Sequence, residues 1–242
     1  LMRNFENNAD FPSLRRIGLD AGLDLRAFGL QTIVNDLAIP EILGGRLFFR
    51  PIPNFNAAIG LEAVSDINPA GDLPASIDNK YRSADPIFLM MGAGLDLSVL
   101  DSETASLLLF SDIAAYLPYI SDTATSLTPG LKSEVLFTSS PFSLRSFGWM
   151  SGIYGDVSFL DFRLDFRYDR GLFHNEFYNR VYNRLRGLYV MDLVDYLEDP
   201  TDSRFSEIRM GLNTELGFRI GDYARFDIAY LWPWAVNNGS QL

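Results

Sequence analysis

The sequence predicts an all-β fold of about 10–12 antiparallel strands with one or two short helices in loops. Three observations carry this. Apolar and polar residues alternate at period two over long segments, turn residues punctuate those segments, and no linker rich in Pro, Ser or charge divides the chain. With 48% hydrophobic residues in 242, the chain cannot be a wholly disordered acidic polymer, despite a net charge of −11.

In chain order, residues 1–13 read as an N-terminal extension and residues 14–234 as one domain. Ile17 to Ala27 alternates as a strand, with Leu19, Ala21, Leu23 and Leu25 opposing Asp20, Gly22 and Asp24. Gln31 to Leu43 reads as a short helix ended by Gly44-Gly45. Arg46 to Arg50, Phe55 to Val64 and Ile87 to Val99 are weaker strands. Ser106 to Leu117 fits a strand or a buried helix, and Leu131 to Thr138 and Leu144 to Ile153 fit strands. Val157 to Asp169 is a long strand preceded by a tight turn at Gly155-Asp156, while Tyr178 to Leu197 fits helix or strand. Ser206 to Ile220 and Tyr223 to Trp234 form a hairpin about Gly221-Asp222, and residues 235–242 are a tail that reads as a truncation point.

Composition narrows the chemistry. The absence of Cys excludes disulfide frameworks and thiolate metal sites, and a single His makes His-based zinc centres and Ser-His-Asp catalysis hard to assemble. With 20 Lys+Arg against 31 Asp+Glu, a nucleic-acid partner is not expected. The first residues lack the pattern of a signal peptide, which leaves a mature chain or a fragment. No run of 18 apolar residues occurs, so no membrane-spanning helix is expected.

A soluble β-sandwich also alternates at period two. Three features favour a transmembrane β-barrel instead. Ser206 to Ile220 and Val157 to Asp169 exceed the roughly 9–11 tilted residues that cross a membrane, whereas soluble strands cluster near five or six. Their polar faces mix Gly, Asn and charges of both signs, as in a filled lumen. Tyr168, Tyr223, Trp232 and Trp234 lie towards strand ends, where an aromatic girdle belongs. Connections should alternate short and long, a rule that falters at the Gly155-Asp156 turn, where a long loop is due.

The stretch Leu160-Asp161-Phe162-Arg163-Leu164-Asp165-Phe166-Arg167-Tyr168, the strand around Leu19 to Leu25 and the closing hairpin resemble bacterial outer-membrane β-barrels. In texture they are similar to barrel proteins of spirochaete-type bacteria, over about two-thirds of the chain. The resemblance implies an outer-membrane location, lipid as a partner, and a porin-like pore, a structural barrel or an adhesin. Such barrels usually end on a strand with a terminal aromatic residue, whereas here Trp234 is followed by eight further residues, Ala235 to Leu242.

Candidate sites follow from that reading. Asp161, Arg163, Asp165, Arg167, Asp169, Glu207, Arg209, Glu215, Arg219, Arg225 and Asp227 line either an aqueous pore for small polar solutes or ions, or a closed barrel whose charges pair with one another. Asp192, Asp195, Glu198, Asp199 and Asp202 read as a solvated acidic loop without the spacing of a calcium site. His174 has no Ser nearby between Gly171 and Arg186 to serve as a base for, so it reads as a loop residue. Arg180, Arg184 and Arg186, interleaved with Tyr178, Tyr182 and Tyr189, read as a lumen cluster or constricting loop. No catalysis, metal or cofactor is expected. The competing expectation is a soluble β-rich binding or adhesion module with the apolar face as its core.

Overall fold

Period-two segments become strands wherever one face stays apolar. The computed structural model describes residues 18–51, 56–71, 73–74, 76–121, 127–137, 144–174, 182–220 and 224–236. Its strands are β1 (Leu19–Leu25), β2 (Phe28–Val34), β3 (Ile42–Phe49), β4 (Ala57–Asp66), β5 (Pro86–Asp101), β6 (Ala105–Tyr116), β7 (Tyr119–Ile120), β8 (Gly130–Leu131), β9 (Phe147–Val157), β10 (Leu160–Arg170), β11 (Ile208–Ile220) and β12 (Ala224–Val236). The helices are α1 (Asn79–Ser83), α2 (Ser133–Leu136) and α3 (Tyr182–Glu198), with a 3-10 turn at Ser203–Ser206. The fold is all-β and antiparallel. Ten strands form one meander in the order β1-β2-β3-β4-β5-β6-β9-β10-β11-β12, and the two short strands β7 and β8 lie off that path beside β5. The sheet is open, because β1 and β12 stand at its two ends with no pairing between them among the described residues.

Several expectations are corrected. Gln31 to Leu43 is not a helix: Gln31–Val34 completes β2, and Gly44-Gly45 lies inside β3. The Asn35 carboxamide closes the intervening loop by accepting from the backbone N–H of Glu41 at 3.1 Å and of Ile42 at 2.8 Å. Ser106 to Tyr116 is strand, with apolar residues on both faces, and Leu117 lies beyond it. Leu131 to Phe137 is not one strand but the end of β8 followed by the single turn α2, and Thr138 lies outside the described residues. Of Tyr178 to Leu197, the described part from Tyr182 onwards lies in α3, whose buried Tyr182, Arg186, Val190, Leu193 and Val194 recur at helical spacing. The turn expected at Gly155-Asp156 lies at Ser158-Phe159, since Gly155, Asp156 and Val157 pair with Phe162, Asp161 and Leu160. Gly155 serves close approach instead, because a Cβ there would lie 2.7 Å from the Phe162 ring and 2.8 Å from a backbone oxygen. The extension 1–13, Gly221-Asp222 and residues 237–242 lie outside the described residues.

These shifts restore the alternation of connections. One end of the sheet carries the links 26–27, 50–56, 102–104, 158–159 and 221–223, and the other carries 35–41, 67–85, 117–146 and 171–207. The apolar core sits at the end with the long connections. There Ile42, Val64, Phe88, Met90 and Tyr116 of the sheet cluster with Tyr182, Val190, Leu193 and Val194 of α3.

The β9–β10 turn carries a local strain, since Ser158 has φ +53° in the position that two-residue hairpins reserve for glycine. Ser158→Gly should therefore stabilise the protein by about 0.5–1 kcal/mol, seen as a higher denaturant midpoint at unchanged slope.

Candidate functional site

Register assigns every strand residue to one of two faces. Across β9, β10, β11 and β12, the rows Ile153–Leu164–Thr214–Tyr230 and Ser151–Phe166–Leu212–Trp232 fall on one side. The rows Tyr154–Arg163–Glu215–Ala229 and Gly152–Asp165–Asn213–Leu231 fall on the other. In water the apolar face would be the buried one, but here it is the outer one. Leu164 is 42% exposed and Ile228 62%, whereas Asp165, adjacent to Leu164, is 1% exposed. The same outer face continues through Leu109, Leu95, Leu61, Leu47, Leu30 and Leu23, all exposed.

On the inner face the predicted ladder forms two linked groups. Asp165 bridges two arginines, with Arg163 Nε 2.7 Å from Oδ2 and Arg167 Nε 2.6 Å from Oδ1. Asn213 donates to Asp165 Oδ2 at 3.1 Å and to Glu215 Oε1 at 3.0 Å, and Arg163 Nη1 lies 4.0 Å from that Glu215 oxygen. The Arg163 guanidinium also sits 5.3 Å from the Phe110 ring centroid, so it reaches towards the neighbouring wall. In the second group Asp161 faces Arg219 Nη2 at 2.5 Å and Arg225 Nη2 at 3.2 Å, and Arg225 Nε donates to Asp227 at 2.8 Å. Asp165 with its two arginines and Arg225 with Asp227 are pairs two residues apart on one strand, whereas the contacts of Asp161 with Arg219 and Arg225 and of Asn213 with Asp165 cross between strands.

The remaining ladder residues behave differently. Arg209 faces Asp169 in register, yet its Nη2 donates to the carbonyls of Gly171 at 3.2 Å and Phe173 at 2.6 Å, closing the start of the long β10–β11 connection. Glu207 precedes β11 and lies outside the ladder. The rest of the sheet holds charges that sequence reading missed. Arg46 of β3 pairs with Asp96 of β5 at 3.2 Å, passing over β4, where a Cβ on Gly60 would come within 3.3 Å of Arg46 Nε. Asp24 and Arg50 pair at 2.7 Å, and Ser106 donates to Asp156 at 2.6 Å. Each partner lies 26 or more residues away, so only register brings them together.

The aromatic positions fall in a band on the outer face towards the long-connection end. Trp149, Tyr168, Met210 and Trp234 form one row in register. Phe147 packs 5.4 Å from Tyr168, Trp149 5.7 Å from Phe166, and Trp232 5.8 Å from Trp234. Of the residues expected in a girdle, Tyr168, Trp232 and Trp234 fall in this band, while Tyr223 lies outside the described residues. Phe147, Trp149 and Phe166 are additions, detectable in sequence only once β9 is in register with β10.

Above the ladder sits α3. The expected acidic loop is mostly the helix itself: Asp195 and Glu198 take Lys80 Nζ at 3.3 and 2.8 Å, Tyr81 donates to Asp195 at 2.9 Å, and Asp202 takes Arg204. Glu198 beside it holds the Lys80 ammonium well above its ordinary value, and burial raises the Asp192 carboxyl. Among the described residues no three His, Asp or Glu side chains converge as metal ligands would. Of the arginine–tyrosine cluster, Arg186 and Tyr182 are buried against the sheet; Tyr178, Arg180 and the Arg184 side chain lie outside the described residues. His174 lies 5.5 Å from the Tyr189 ring, with Arg209 Nη1 3.5 Å from its Nε2. Burial, aided by the Arg209 charge, lowers its pKa to about 4, which leaves a weak base at neutral pH.

No protein family, curated protein or solved structure matches the chain.

Two outcomes are expected. Asp165→Ala leaves Arg163 and Arg167 without their shared carboxylate, so unfolding free energy should drop by about 3–5 kcal/mol, and by less in Asp165→Asn. His174, the single imidazole of the chain, should titrate near pH 4 by NMR. The unfolded imidazole takes its proton near pH 6.5, so acidification from 6.5 to about 4 favours the unfolded chain by up to about 3 kcal/mol. His174→Gln should remove that component from the stability profile.

Proposed function

We propose that the chain is a bacterial outer-membrane β-barrel acting as a passive pore or structural barrel for small polar solutes or ions, without catalysis. The inverted polarity of the sheet carries this reading: Asp161, Asp165 and Asn213 are buried on the inner face, whereas large apolar residues are exposed on the outer one. In water each exposed Leu, Ile or Phe forfeits about 1.5–3 kcal/mol of burial, whereas lipid makes the outer face its natural solvent.

Strand length supports the same reading. Strands β9 to β12 have 11, 11, 13 and 13 residues, and β5 has 16. At about 3.3 Å per residue and a tilt near 40°, 11–13 residues cover roughly 28–33 Å along the membrane normal. Links of at most seven residues at one end, three links of 19 or more beside 35–41 at the other, and an aromatic band at the boundary fit the periplasmic and external sides of such a barrel. Closure requires that the free edges of β1 and β12 be paired, since open edges are not tolerated in hydrocarbon. The soluble alternative needs a second layer over the apolar face, and no second sheet covers it among the described residues. Arg163, Arg167, Arg219 and Arg225 engage carboxylates, which disfavours a polyanionic partner.

Detergent dependence and permeability test the proposal. The protein should aggregate on removal of detergent, migrate faster unheated than heated on electrophoresis, and make liposomes permeable to small sugars or salts. A chain that is a monodisperse monomer in plain buffer would overturn the membrane reading. One that inserts but leaves liposomes tight would reduce it to a structural barrel.

A further inference from the structure

The inner face is not polar throughout. From Glu62 through Asp96 and across to Asp165 and Asp161 it carries charges, glycines and Asn, but at the long-connection end it turns apolar with Ile42, Val64, Phe88, Met90 and Tyr116. Helix α3 covers that apolar part with Val190, Leu193 and Val194, so it lies across one mouth of the channel that the curled sheet would enclose. A charged latch holds its N-terminal half. Tyr182 donates to Asp66 Oδ2 at 2.6 Å, while Arg186 Nη1 donates to Glu41 Oε2 at 3.0 Å and lies 3.7 Å from Asp66 Oδ2. Asn68 braces both acids, its N–H reaching Asp66 at 2.9 Å and its Nδ2 reaching Glu41 at 3.1 Å. Arg186 is 1% exposed and Asp66 is fully buried.

We infer that α3 is a plug closing the long-connection end of the pore, and that the pore opens when the Arg186 latch to Asp66 and Glu41 is released. The inference rests on the barrel reading above. A buried ion pair adds little net stability, because desolvation offsets the attraction, yet losing one partner strands the other charge and drives it towards water. Such a latch holds α3 in one place and frees it by a local change, which an all-apolar contact does not do. At the other end of the helix, Lys80 bonds Glu198 and Asp195 from the exposed surface, so that contact is the weaker one and serves as a tether.

Planar-bilayer conductance of the full chain tests this. Asp66→Asn keeps an acceptor for Tyr182 and leaves Arg186 paired with Glu41, so it should fold and conduct modestly more than the wild type. Asp66→Asn combined with Glu41→Gln leaves a buried arginine without these carboxylates and should raise mean conductance on the order of tenfold. Adding Lys80→Cys and Glu198→Cys, joined by a bifunctional maleimide in a chain with no other cysteine, should return conductance towards wild type. Variants that insert, as judged by heat-modifiable migration, but conduct like the wild type would overturn the plug while leaving the barrel standing. If the double variant fails to insert, the same comparison is read on Asp66→Asn alone, whose conductance must exceed wild type. A wild-type chain that never enters the bilayer would remove barrel and plug together.

Discussion

An aspartate at 1% exposure next to a leucine at 42% commits the two faces of a strand to opposite surroundings. A carboxylate withdrawn from water costs several kcal/mol unless charge partners and hydrogen bonds replace the lost solvation. Asp165 obtains them from Arg163 and Arg167 on its own strand and from Asn213 on the next. Because side chains on a strand repeat every two residues, a one-residue slip of β11 against β10 would move Asn213 and Glu215 to the outer face and leave the ladder unsatisfied. Inner-face charge thus specifies the register, in the role that core packing plays in a soluble sheet. The same register brings Trp149, Tyr168 and Trp234 into one outer row, so satisfying the charges and aligning the aromatic band are one geometric event.

Where the inner face loses its charges, a second way of satisfying it takes over. Phe88, Met90 and Tyr116 cannot face a watery lumen cheaply, and α3 supplies the cover. That helix draws on all four long connections. Glu41 comes from 35–41, Lys80 and Tyr81 from 67–85, and the Glu134 carbonyl and Arg145, both bonded to the Tyr196 hydroxyl, from 117–146. The fourth connection contains α3 itself. Among the described residues the long connections are consequently not independent loops but one packed cap, whereas those of the links at the opposite end are mostly exposed.

What was legible in the sequence was set by how strictly the strands alternate. The strands from Val157 onwards were readable because apolar and charged residues alternate strictly there, even though Asp161 and Arg219 are 58 residues apart. Arg46 and Asp96, 50 residues apart, were not readable because the polar positions of their strands are largely glycine. Gln31 to Leu43 misled because Gly44-Gly45 looks like a helix stop, although both glycines sit within β3 and Asn35 makes the turn. Gly155 misled in the same way, its small size serving contact with Phe162 and not a reversal of the chain. Helix α3 was ambiguous because its buried stripe includes Arg186, a residue that reads as exposed until Asp66 and Glu41 are placed beside it.

That arginine also ties the two ends of the argument together. On β10 to β12, Asp161, Arg163, Asp165, Arg167 and Arg219 find their charge partners within the sheet, so these pairs form without α3. The Glu41–Asp66 pair is the reverse case: two acids converge at the rim of β3 and β4, and the cation that joins them comes from the helix. The charge pairs of the sheet lie on strands already bonded to one another, whereas α3 is held by side-chain packing, the Lys80 contact and this charged contact, and a part held by side chains alone gives way first when conditions change. On the proposed reading, the barrel wall is therefore the fixed element, and the occupancy of its mouth by α3 is the variable that sets whether solute passes.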